Sequence, residues 1–309
     1  MLRQFFLHLS ENQFARRFVT HFGPARKMAR RFVAGETMDE AIAVARQLKA
    51  QGIGAILNHV GESVTTKAEA TGAAREVIEL LERVAAEGIE VSITIKPSHV
   101  GLAFGTDFCY ENIADIVQVA QRHNILVEID IEASPDVDAT LEIYHRLLNT
   151  FGAGIRQAIQ SYLYRTPADL EPIIARGGSV RLVKGAYQES PEIAYQDRDE
   201  INQASIRIID MFLSPEALAA SAYLALGSHD PVLIEALLTR AQERDISADK
   251  YEIQMLLGVR RDEQQRLAEM GHQVRTYIPF GDAWYPYFMR RLAERPANVF
   301  FITRAFLGG

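Results

Sequence analysis

The sequence predicts an α/β protein whose eight parallel strands alternate with helices and close into a (β/α)8 barrel. Three observations support this fold class. Short apolar runs recur from about residue 53 onward, amphipathic helical patterns separate them, and Gly and Pro mark their boundaries. Strand–helix repeats of this kind place the strands parallel through right-handed crossovers, and eight such units close naturally into a barrel.

The apolar runs have the length and the Val, Ile, Leu and Tyr content of buried strands. Predicted strands cover residues 53–60, 91–96, 126–131, 155–160, 180–184, 222–227, 251–256 and 274–278. Predicted helices include residues 68–86, 113–123, 136–150 and 230–244. In the first of these helices, Val77, Leu80, Leu81 and Val84 follow the spacing of one helix face. Asp230 followed by Pro is a helix start, with Asp as the N-cap.

An open, doubly wound sheet is the alternative architecture. It would favour a G-x-G-x-x-G phosphate loop directly after an early strand. The nearest candidate begins at Gly152 and Gly154, but it lacks the third Gly and precedes a predicted strand. The barrel is therefore the preferred prediction.

Composition excludes several classes of protein. The chain has 309 residues, of which 48% are hydrophobic and 24% charged, which are globular values and not those of a disordered or fibrous chain. With 33 Lys and Arg against 40 Asp and Glu, the net charge is −7, which disfavours a nucleic-acid binder that relies on phosphate contacts. Cys109 is the single cysteine, so an intrachain disulfide is impossible, and packing is its expected role.

The predicted domain organisation is an N-terminal helical arm over residues 1–50 and a barrel over residues 51–309. The arm contains basic helical faces and then a helix over residues 38–51. The N-terminus lacks the apolar core and small-residue cleavage site of a signal peptide, so a cytoplasmic protein is expected, with peripheral membrane contact left open. The apolar segment 300–307 is expected to dock on the barrel, with a dimer contact or membrane contact as alternatives.

Polar side chains stand at the ends of the predicted strands, where barrel enzymes carry their sites. Isolated charges in apolar strands are costly to bury unless they are paired, so their convergence at one barrel mouth indicates function. These side chains are Lys96, Glu128, Asp130, Glu132, Gln160, Arg181, Lys184, Ser228, His229, Glu252, Gln254 and Tyr277.

The last predicted helix adds two adjacent arginines. Tyr287, Arg290, Arg291 and Glu294 follow i, i+3, i+4, i+7 spacing, so most of them share one helix face. The aromatic segment 283–288 and Gly281 precede them, which directs the arginines to the barrel mouth. Two guanidinium groups form a fork for a carboxylate or a phosphate, and with Lys96 and the nearby acids they suit a zwitterionic ligand.

Three segments together resemble the proline dehydrogenase family. They are residues 181–187 (Arg-Leu-Val-Lys-Gly-Ala-Tyr), residues 251–258 (Tyr-Glu-Ile-Gln-Met-Leu-Leu-Gly), and Tyr277 followed by residues 287–294 (Tyr-Phe-Met-Arg-Arg-Leu-Ala-Glu). The resemblance covers about residues 50–300. The same domain occurs in bifunctional proline-catabolic flavoproteins, and the length indicates the monofunctional bacterial form.

The resemblance implies a distorted barrel that holds FAD non-covalently, with the last helix capping the mouth. It implies oxidation of L-proline to 1-pyrroline-5-carboxylate, with a hydride passing from the ring carbon to flavin N5. Electrons would go to a quinone, and the product would pass to 1-pyrroline-5-carboxylate dehydrogenase. The chemistry of amine oxidation is consistent with this reaction, because it needs an electron sink from the cofactor and orientation of the substrate by the protein. Neither a metal nor a nucleic acid is implied.

The resemblance also assigns residues to roles. The predicted catalytic residues are Asp130 and Arg181, with Arg181 near flavin N5. The predicted substrate-binding residues are Lys96, Leu182, Tyr187, Tyr277, Tyr287, Arg290, Arg291 and Glu294. Of these, Arg290, Arg291 and Lys96 are expected to bind the carboxylate. Glu294 and Asp130 are expected to hold the two arginines in place. The predicted cofactor-binding residues are Ile131, Gln160, Arg181, Val183, Lys184, Gly185, Ala186, Ser228, His229 and Gln254. At the position of Tyr277, a tyrosine accompanies a preference for proline, and a smaller residue accompanies acceptance of 4-hydroxyproline.

Two other function classes stay open at this point. One is a different barrel enzyme with a phosphate ligand on Arg290 and Arg291 and no flavin. The other is a non-catalytic scaffold that binds through its basic N-terminal arm. A metal enzyme is disfavoured, because the eight histidines show no paired helical spacing such as H-E-x-x-H.

Overall fold

The protein folds into a closed barrel of eight parallel strands in chain order, as the sequence predicts. The computed structural model describes residues 29–61 and 64–294, with side chains up to residue 289. The strands are β1 (Gly54–His59), β2 (Val91–Ile95), β3 (Leu126–Ile129), β4 (Ile155–Gln160), β5 (Ser179–Val183), β6 (Tyr223–Gly227), β7 (Tyr251–Leu256) and β8 (Val274–Phe280). Closure occurs between β1 and β8, where Leu57 is in register with Ile278.

Helices follow the strands on the outside of the barrel. They are α1 (Met38–Lys49), α2 (Lys67–Ala86), α3 (Thr106–Arg122), α4 (Val137–Phe151), α5 (Thr166–Ala175), α6 (Arg198–Phe212), α7 (Pro215–Ala219), α8 (Pro231–Glu243), α9 (Arg261–Glu269) and α10 (Trp284–Glu294). The predicted apolar face of α2, Val77 to Val84, is buried, because it packs into the main core between helices and sheet.

Side chains fix several helix starts. Thr37 and Glu40 form a capping box at α1, and Thr66 and Glu69 form another at α2. In both, the N-cap hydroxyl accepts a backbone N–H while the glutamate accepts the N-cap amide. Asp230 caps α8, with Pro at the first turn, as predicted.

The structure moves some predicted boundaries. Helix α3 begins at Thr106, seven residues before the predicted start, because Gly105 at φ +114° turns the chain directly into it. Strand β3 ends at Ile129, since the chain reaches the mouth there and the amide of Asp130 donates to the carbonyl of Ile95. Strand β8 runs on to Phe280, because Pro279 keeps its register with Asn58 and its carbonyl accepts the amide of Ala34.

Residues before β1 pack closely on the barrel. Helix α1 contacts β1 and β8. The carbonyl of Gly35 accepts the amide of Gly281, which ties this segment to the turn before α10. The predicted division into an arm and a barrel stays a prediction, and residues 1–28 and 295–309, with the apolar segment 300–307, lie outside the described residues.

Cys109 is buried in α3, and its thiol contacts the carbonyl of Pro97. Burial, with a smaller effect of Glu132, raises the pKa of this thiol to about 12. The residue therefore packs as a small apolar group, as predicted. Within the described ranges, no helix is both long enough and apolar enough to cross a membrane.

Candidate active site

Asp130 follows β3 at the carboxyl end of the barrel, where side chains from three other strands contact it. Its Oδ2 accepts from Lys96 Nζ at 2.8 Å and from the Tyr277 hydroxyl at 3.2 Å. Its Oδ1 accepts from the Arg181 guanidinium and from Thr94 Oγ1, the latter at 3.2 Å. Asp130 is buried, whereas the Lys96 side chain is 39% exposed. The carboxylate thus holds two cations and a phenol beside a partly open mouth.

Arg181 occupies the centre of the barrel. Its side chain is buried, and the guanidinium contacts Asp130 through Nη2 and Glu128 through Nη1, the second contact at 3.4 Å. The guanidinium carbon lies 5.5 Å from the centre of the Tyr277 ring, within the range of a cation–π contact. The two predicted catalytic residues therefore contact each other directly.

Below this level the barrel interior contains a second layer of charged and polar groups. Glu128 accepts from Ser92 Oγ at 2.7 Å and from Gln254 Nε2 at 3.0 Å. Arg156 forms an ion pair with Glu252, which also lies 3.4 Å from Arg275. Barrels of this type are ordinarily filled with branched apolar side chains, so an ionic interior is a departure that needs an explanation.

Partners favour the charged forms of two buried groups of this layer, Arg156 and Glu252. Burial opposes the charge on Arg156, yet Glu252 and Glu128 raise the pKa of its guanidinium above the ordinary value. Burial likewise opposes the charge on Glu252, yet Arg156 and Arg275 lower the pKa of its carboxyl. Removing one partner from such a set leaves an uncompensated buried charge, which costs more than the pair contributes.

The sequence predicted that Glu128, Glu252 and Gln254 converge at the barrel mouth with the other polar strand-end residues, whereas the structure places them in this lower layer. Of the three, only Gln254 had a predicted role. Arg156, Arg275 and Ser92 were not among the predicted residues, because each lies near the start of its strand, away from the mouth. Alternation was a usable signal for Glu128, because residues i and i+2 of a strand point to the same face and Asp130 is two positions later. Gln254 belongs to this layer, where its amide donates to Glu128 and Glu252, and its predicted contact with a cofactor stays a prediction.

Lys184 and Arg198 converge on Asp230 at the N-terminus of α8. Lys184 Nζ lies 2.5 Å from Asp230 Oδ2 and 2.5 Å from the Asn202 amide oxygen, and Arg198 lies 3.0 Å from Asp230. Burial alone raises the pKa of the Asp230 carboxyl, but hydrogen bonds from Lys184, Arg198 and the Val232 amide outweigh it and lower the pKa to about 2. Two cations and a helix N-terminus make this corner of the rim favourable for an anionic group.

Replacing Asp230 with asparagine is expected to destabilise the protein by roughly 1–2 kcal/mol at pH 7, because Asn keeps the cap but loses the ion pairs. The folded-state pKa of Asp230 lies below its ordinary value of 3.8. Its contribution is therefore complete above about pH 4 and disappears as the pH falls towards 2. Urea unfolding of Asp230→Asn and wild type between pH 2 and 7 measures the difference, which should shrink below pH 4.

A matched control is Asp197→Asn, since Asp197 caps α6 through the amides of Asp199 and Glu200. Asn is an equally good N-cap, so this variant should lose little stability at pH 7. If the difference in free energy of unfolding between Asp230→Asn and wild type stays constant from pH 7 to pH 2, the ion-pair assignment is contradicted.

His229 and Ser228 line the end of β6. His229 Nε2 accepts the backbone N–H of Leu256 at 2.9 Å, so this nitrogen is unprotonated and the proton of the neutral ring is on Nδ1. Ser228 Oγ accepts the amide of Asp230 at 3.1 Å. Both side chains are thus held by the backbone at the carboxyl ends of neighbouring strands.

Gly185 turns the chain out of β5 at φ +123°, a conformation that favours glycine. A Cβ at this position would come within 2.5 Å of the Tyr162 ring. Close packing on Tyr162 therefore requires the glycine independently of any ligand. Ala186 and Tyr187, which follow it, are exposed at the rim.

Serine–carboxylate contacts join the loops of the rim. Glu132 accepts from the amide and hydroxyl of Ser98 at 2.8 and 2.7 Å, and Glu189 accepts from the amide and hydroxyl of Ser134 at 2.8 and 2.6 Å. The Gln160 amide donates to the carbonyl of Glu132 at 3.0 Å. The loops after β2, β3 and β5 are therefore tied to one another around the mouth.

Helix α10 follows β8 directly and forms a second apolar cluster. Tyr287 is buried there with Trp284 and Phe288, against Val33 and Val60. Because Val60 directly follows the carboxyl end of β1, the helix lies on the mouth side of the barrel. Arg290, Arg291 and Glu294 are within the helix, but their side chains lie outside what the structure describes.

The remaining predicted residues are placed as follows. Leu182 and Ile131 are buried and belong to the main apolar core, and Val183 is half-buried with its carbonyl accepting the amide of Ser161. Their contacts with substrate or cofactor stay predictions. Among the residues that the structure describes, no cluster of His, Cys, Asp and Glu has the arrangement of a metal site.

Comparison with known proteins gives consistent similarities. The chain matches the family model described as Proline dehydrogenase over residues 41–304. It is similar to Proline dehydrogenase 2 of Bacillus subtilis strain 168, at 34% identity over 97% of this chain and 96% of that protein. It is also similar to Proline dehydrogenase of Deinococcus radiodurans, at 36% identity over 91% of each chain.

The fold is similar to that of proline utilization A (PutA) from Bdellovibrio bacteriovorus, solved after inactivation by N-propargylglycine. The TM-score is 0.84 at 21% identity, and the match covers 96% of this chain and 37% of that one. The chain thus spans little more than a third of the PutA structure, and the similarity at this identity concerns the barrel fold.

Proposed function

The chain belongs to the proline dehydrogenase family, and on this premise we propose that it oxidises L-proline to 1-pyrroline-5-carboxylate with FAD as cofactor. One observation carries the proposal beyond family membership. Asp130 gathers Lys96, Arg181 and Tyr277 at the barrel mouth, so that two cations and an aromatic ring lie beside one carboxylate. A small zwitterion with an apolar ring is a ligand that such a set of groups complements.

The chemistry of the rim supports a flavin dinucleotide. A diphosphate needs cations, and Lys184 and Arg198 converge at the N-terminus of α8. A reducible ring system needs a nearby cation for its developing negative charge, and Arg181 supplies one in a buried position. The proposed FAD-binding residues are Ile131, Gln160, Arg181, Val183, Lys184, Gly185, Ala186, Ser228, His229 and Gln254.

Bound FAD supplies the electron sink that accepts a hydride from the proline ring carbon. The protein's residues orient the substrate: Lys96, Arg290 and Arg291 are proposed to bind the carboxylate, with Glu294 and Asp130 supporting them. Tyr277, Tyr287, Tyr187 and Leu182 are proposed to enclose the ring and exclude water. Lys96 is suited to its role because its ammonium is anchored by Asp130 while the side chain stays partly exposed.

A quinone is the proposed electron acceptor, and 1-pyrroline-5-carboxylate dehydrogenase is the proposed recipient of the product. A cytoplasmic location, with peripheral contact at the inner face of the plasma membrane, is proposed with them. Quinone reduction by the proline-reduced protein, followed at different quinone chain lengths, tests the first of these proposals.

Colour is the direct test of the function. We expect purified protein to be yellow and to bleach when L-proline is added without oxygen, and we expect o-aminobenzaldehyde to trap a pyrroline product. The same sample without proline is the control. A colourless protein that added FAD does not reconstitute would overturn the proposal and would favour a barrel enzyme with a phosphate ligand or a non-catalytic scaffold.

Tyr277→Ser is expected to lower kcat/KM for proline and to narrow its preference over 4-hydroxyproline. A phenol next to the ring leaves little room for an additional hydroxyl, and shape discrimination of this kind contributes ~1–3 kcal/mol, or about 5- to 150-fold. The measurement is the ratio of kcat/KM for the two substrates before and after substitution.

Tyr277→Phe is the matched variant, because it keeps the ring and removes the hydroxyl that contacts Asp130 at 3.2 Å. It should retain the discrimination while the serine variant loses it. An unchanged ratio in Tyr277→Ser, or a wild type that already prefers 4-hydroxyproline, would place Tyr277 away from the substrate.

A further inference from the structure

Glu128 is a buried acid directly beneath the proposed catalytic pair. Its side chain has no exposed surface, and the contacts of its carboxylate are with Ser92, Arg156, Arg181 and Gln254. We propose that Glu128 is a positioning residue that fixes the Arg181 guanidinium for hydride transfer, an inference that rests on the proposed function.

The geometry of β3 supports this role. Glu128 lies in β3 and Asp130 directly follows it, so their Cα atoms are about 7 Å apart along the chain direction and both side chains face the barrel interior. The Arg181 guanidinium bridges them, with Nη1 towards Glu128 at 3.4 Å and Nη2 towards Asp130. A planar fork held at one point can still turn about that contact, whereas contacts at two points fix its orientation.

Glu128 is itself held rigidly. Ser92 donates to its Oε1 at 2.7 Å, Gln254 donates to its Oε2 at 3.0 Å, and the Arg156 guanidinium lies 3.7 Å from Oε1. Arg156 is paired more closely with Glu252, which leaves part of the Glu128 charge to attract Arg181. The lower layer therefore supports the Arg181 guanidinium in its position. This supporting role explains why the barrel interior is ionic.

The chain offers a matched control in Glu252. Its carboxylate is almost as buried, and it shares Arg156 and Gln254 with Glu128, but its other cation is Arg275 instead of Arg181. Loss of either negative charge disturbs the same buried layer. Only the loss of Glu128 removes a contact of Arg181, so the two variants separate a positioning role from a purely structural one.

The experiment compares Glu128→Gln and Glu252→Gln in the FAD-loaded protein. We expect both variants to melt at lower temperature. We expect Glu128→Gln alone to slow anaerobic flavin reduction by proline about 10-fold or more in stopped flow, with the apparent dissociation constant for proline changed less than about 3-fold. The visible absorption spectrum of the oxidised flavin should change in Glu128→Gln and match that of the wild type in Glu252→Gln.

A double-mutant cycle tests whether the effect passes through Arg181. In the Arg181→Met background, Glu128→Gln should slow reduction no further, because the group that it positions is absent. Equal reduction rates in Glu128→Gln and Glu252→Gln, or additive losses in the cycle, would overturn the proposal. If Glu128→Gln does not fold, Ser92→Ala decides: a reduction rate about 2- to 5-fold lower supports the proposal, and a wild-type rate overturns it.

Flavin reduction of the wild-type protein by proline distinguishes a failure of this inference from a failure of the function on which it rests. Wild-type protein that is not reduced by proline removes the proposed function itself. Wild-type protein that is reduced, together with a Glu128→Gln variant reduced at the rate of Glu252→Gln, removes only the role assigned to Glu128.

Discussion

Asp130→Asn is expected to lower kcat/KM for proline by a factor on the order of 10²–10³. Asparagine keeps the size of the side chain but removes the charge that Arg181 and Lys96 share. Removing one partner of a buried ion pair leaves the other charge uncompensated and misplaced. The expected loss corresponds to about 3–4 kcal/mol of transition-state stabilisation, at about 1.4 kcal/mol for each factor of ten. Steady-state kinetics with proline and a quinone measures the loss.

The matched control is Asp138→Asn, which removes an exposed ion pair with Arg165 further along the same connection. Exposed pairs contribute little, so this variant should stay within about 2-fold of wild type. Flavin content and thermal melting of Asp130→Asn establish that the protein is folded and loaded. Wild-type kinetics in a folded, loaded Asp130→Asn would contradict the central role of this carboxylate.

Much of the fold follows from local sequence signals. All eight strands appear where short apolar runs predict them, because a strand that is buried on both faces must be apolar along its length. Asp230 and Pro231 mark the start of α8 for the same local reason, since capping depends on neighbouring residues alone. Boundaries such as those of β3 and β8 depend on contacts with distant residues, Ile95 and Ala34, which local patterns do not reveal.

The upper part of the site could be predicted from the sequence. For the lower part, the sequence indicated Glu128, Glu252 and Gln254, but neither their partners nor their position below the mouth. Lys96 and Asp130 directly follow β2 and β3, whereas Arg181 and Tyr277 lie within β5 and β8. Lys96, Arg181 and Tyr277 all contact Asp130 in the structure. The pair Arg156–Glu252 joins residues on opposite sides of the barrel, 96 positions apart in sequence. Which partner a buried charge finds across a barrel depends on register and strand tilt, and a single sequence does not specify these.

The ionic interior has a physical cost that the arrangement of partners offsets. Burying Glu128, Arg156 and Glu252 removes their hydration, and only close partners compensate for this loss. Apolar residues of similar volume would fill the same space without that requirement. The charges directly below Asp130 and Arg181 are therefore better explained by their role in orienting those two groups than by a contribution to the stability of the fold.

Arg290→Lys and Arg291→Lys are each expected to raise the KM for proline about 30- to 150-fold while FAD stays bound. The helical spacing places positions 290 and 291 three and four residues after Tyr287, in a helix that begins at the barrel mouth. Lysine keeps the positive charge but loses the planar pair of donors that matches a carboxylate. The loss of one hydrogen bond to a charged group costs ~2–3 kcal/mol, which gives the expected range.

Arg266→Lys is the matched control, because Arg266 is an exposed residue of α9 whose ion pair is with Glu263. It should change the KM by less than about 2-fold, since neither the pair nor its position touches the mouth. The KM and kcat of the three variants and their flavin content are the measurements. If Arg290→Lys and Arg291→Lys both keep the wild-type KM, the proline carboxylate is bound elsewhere, and Lys96, anchored on Asp130, becomes the leading candidate for that contact.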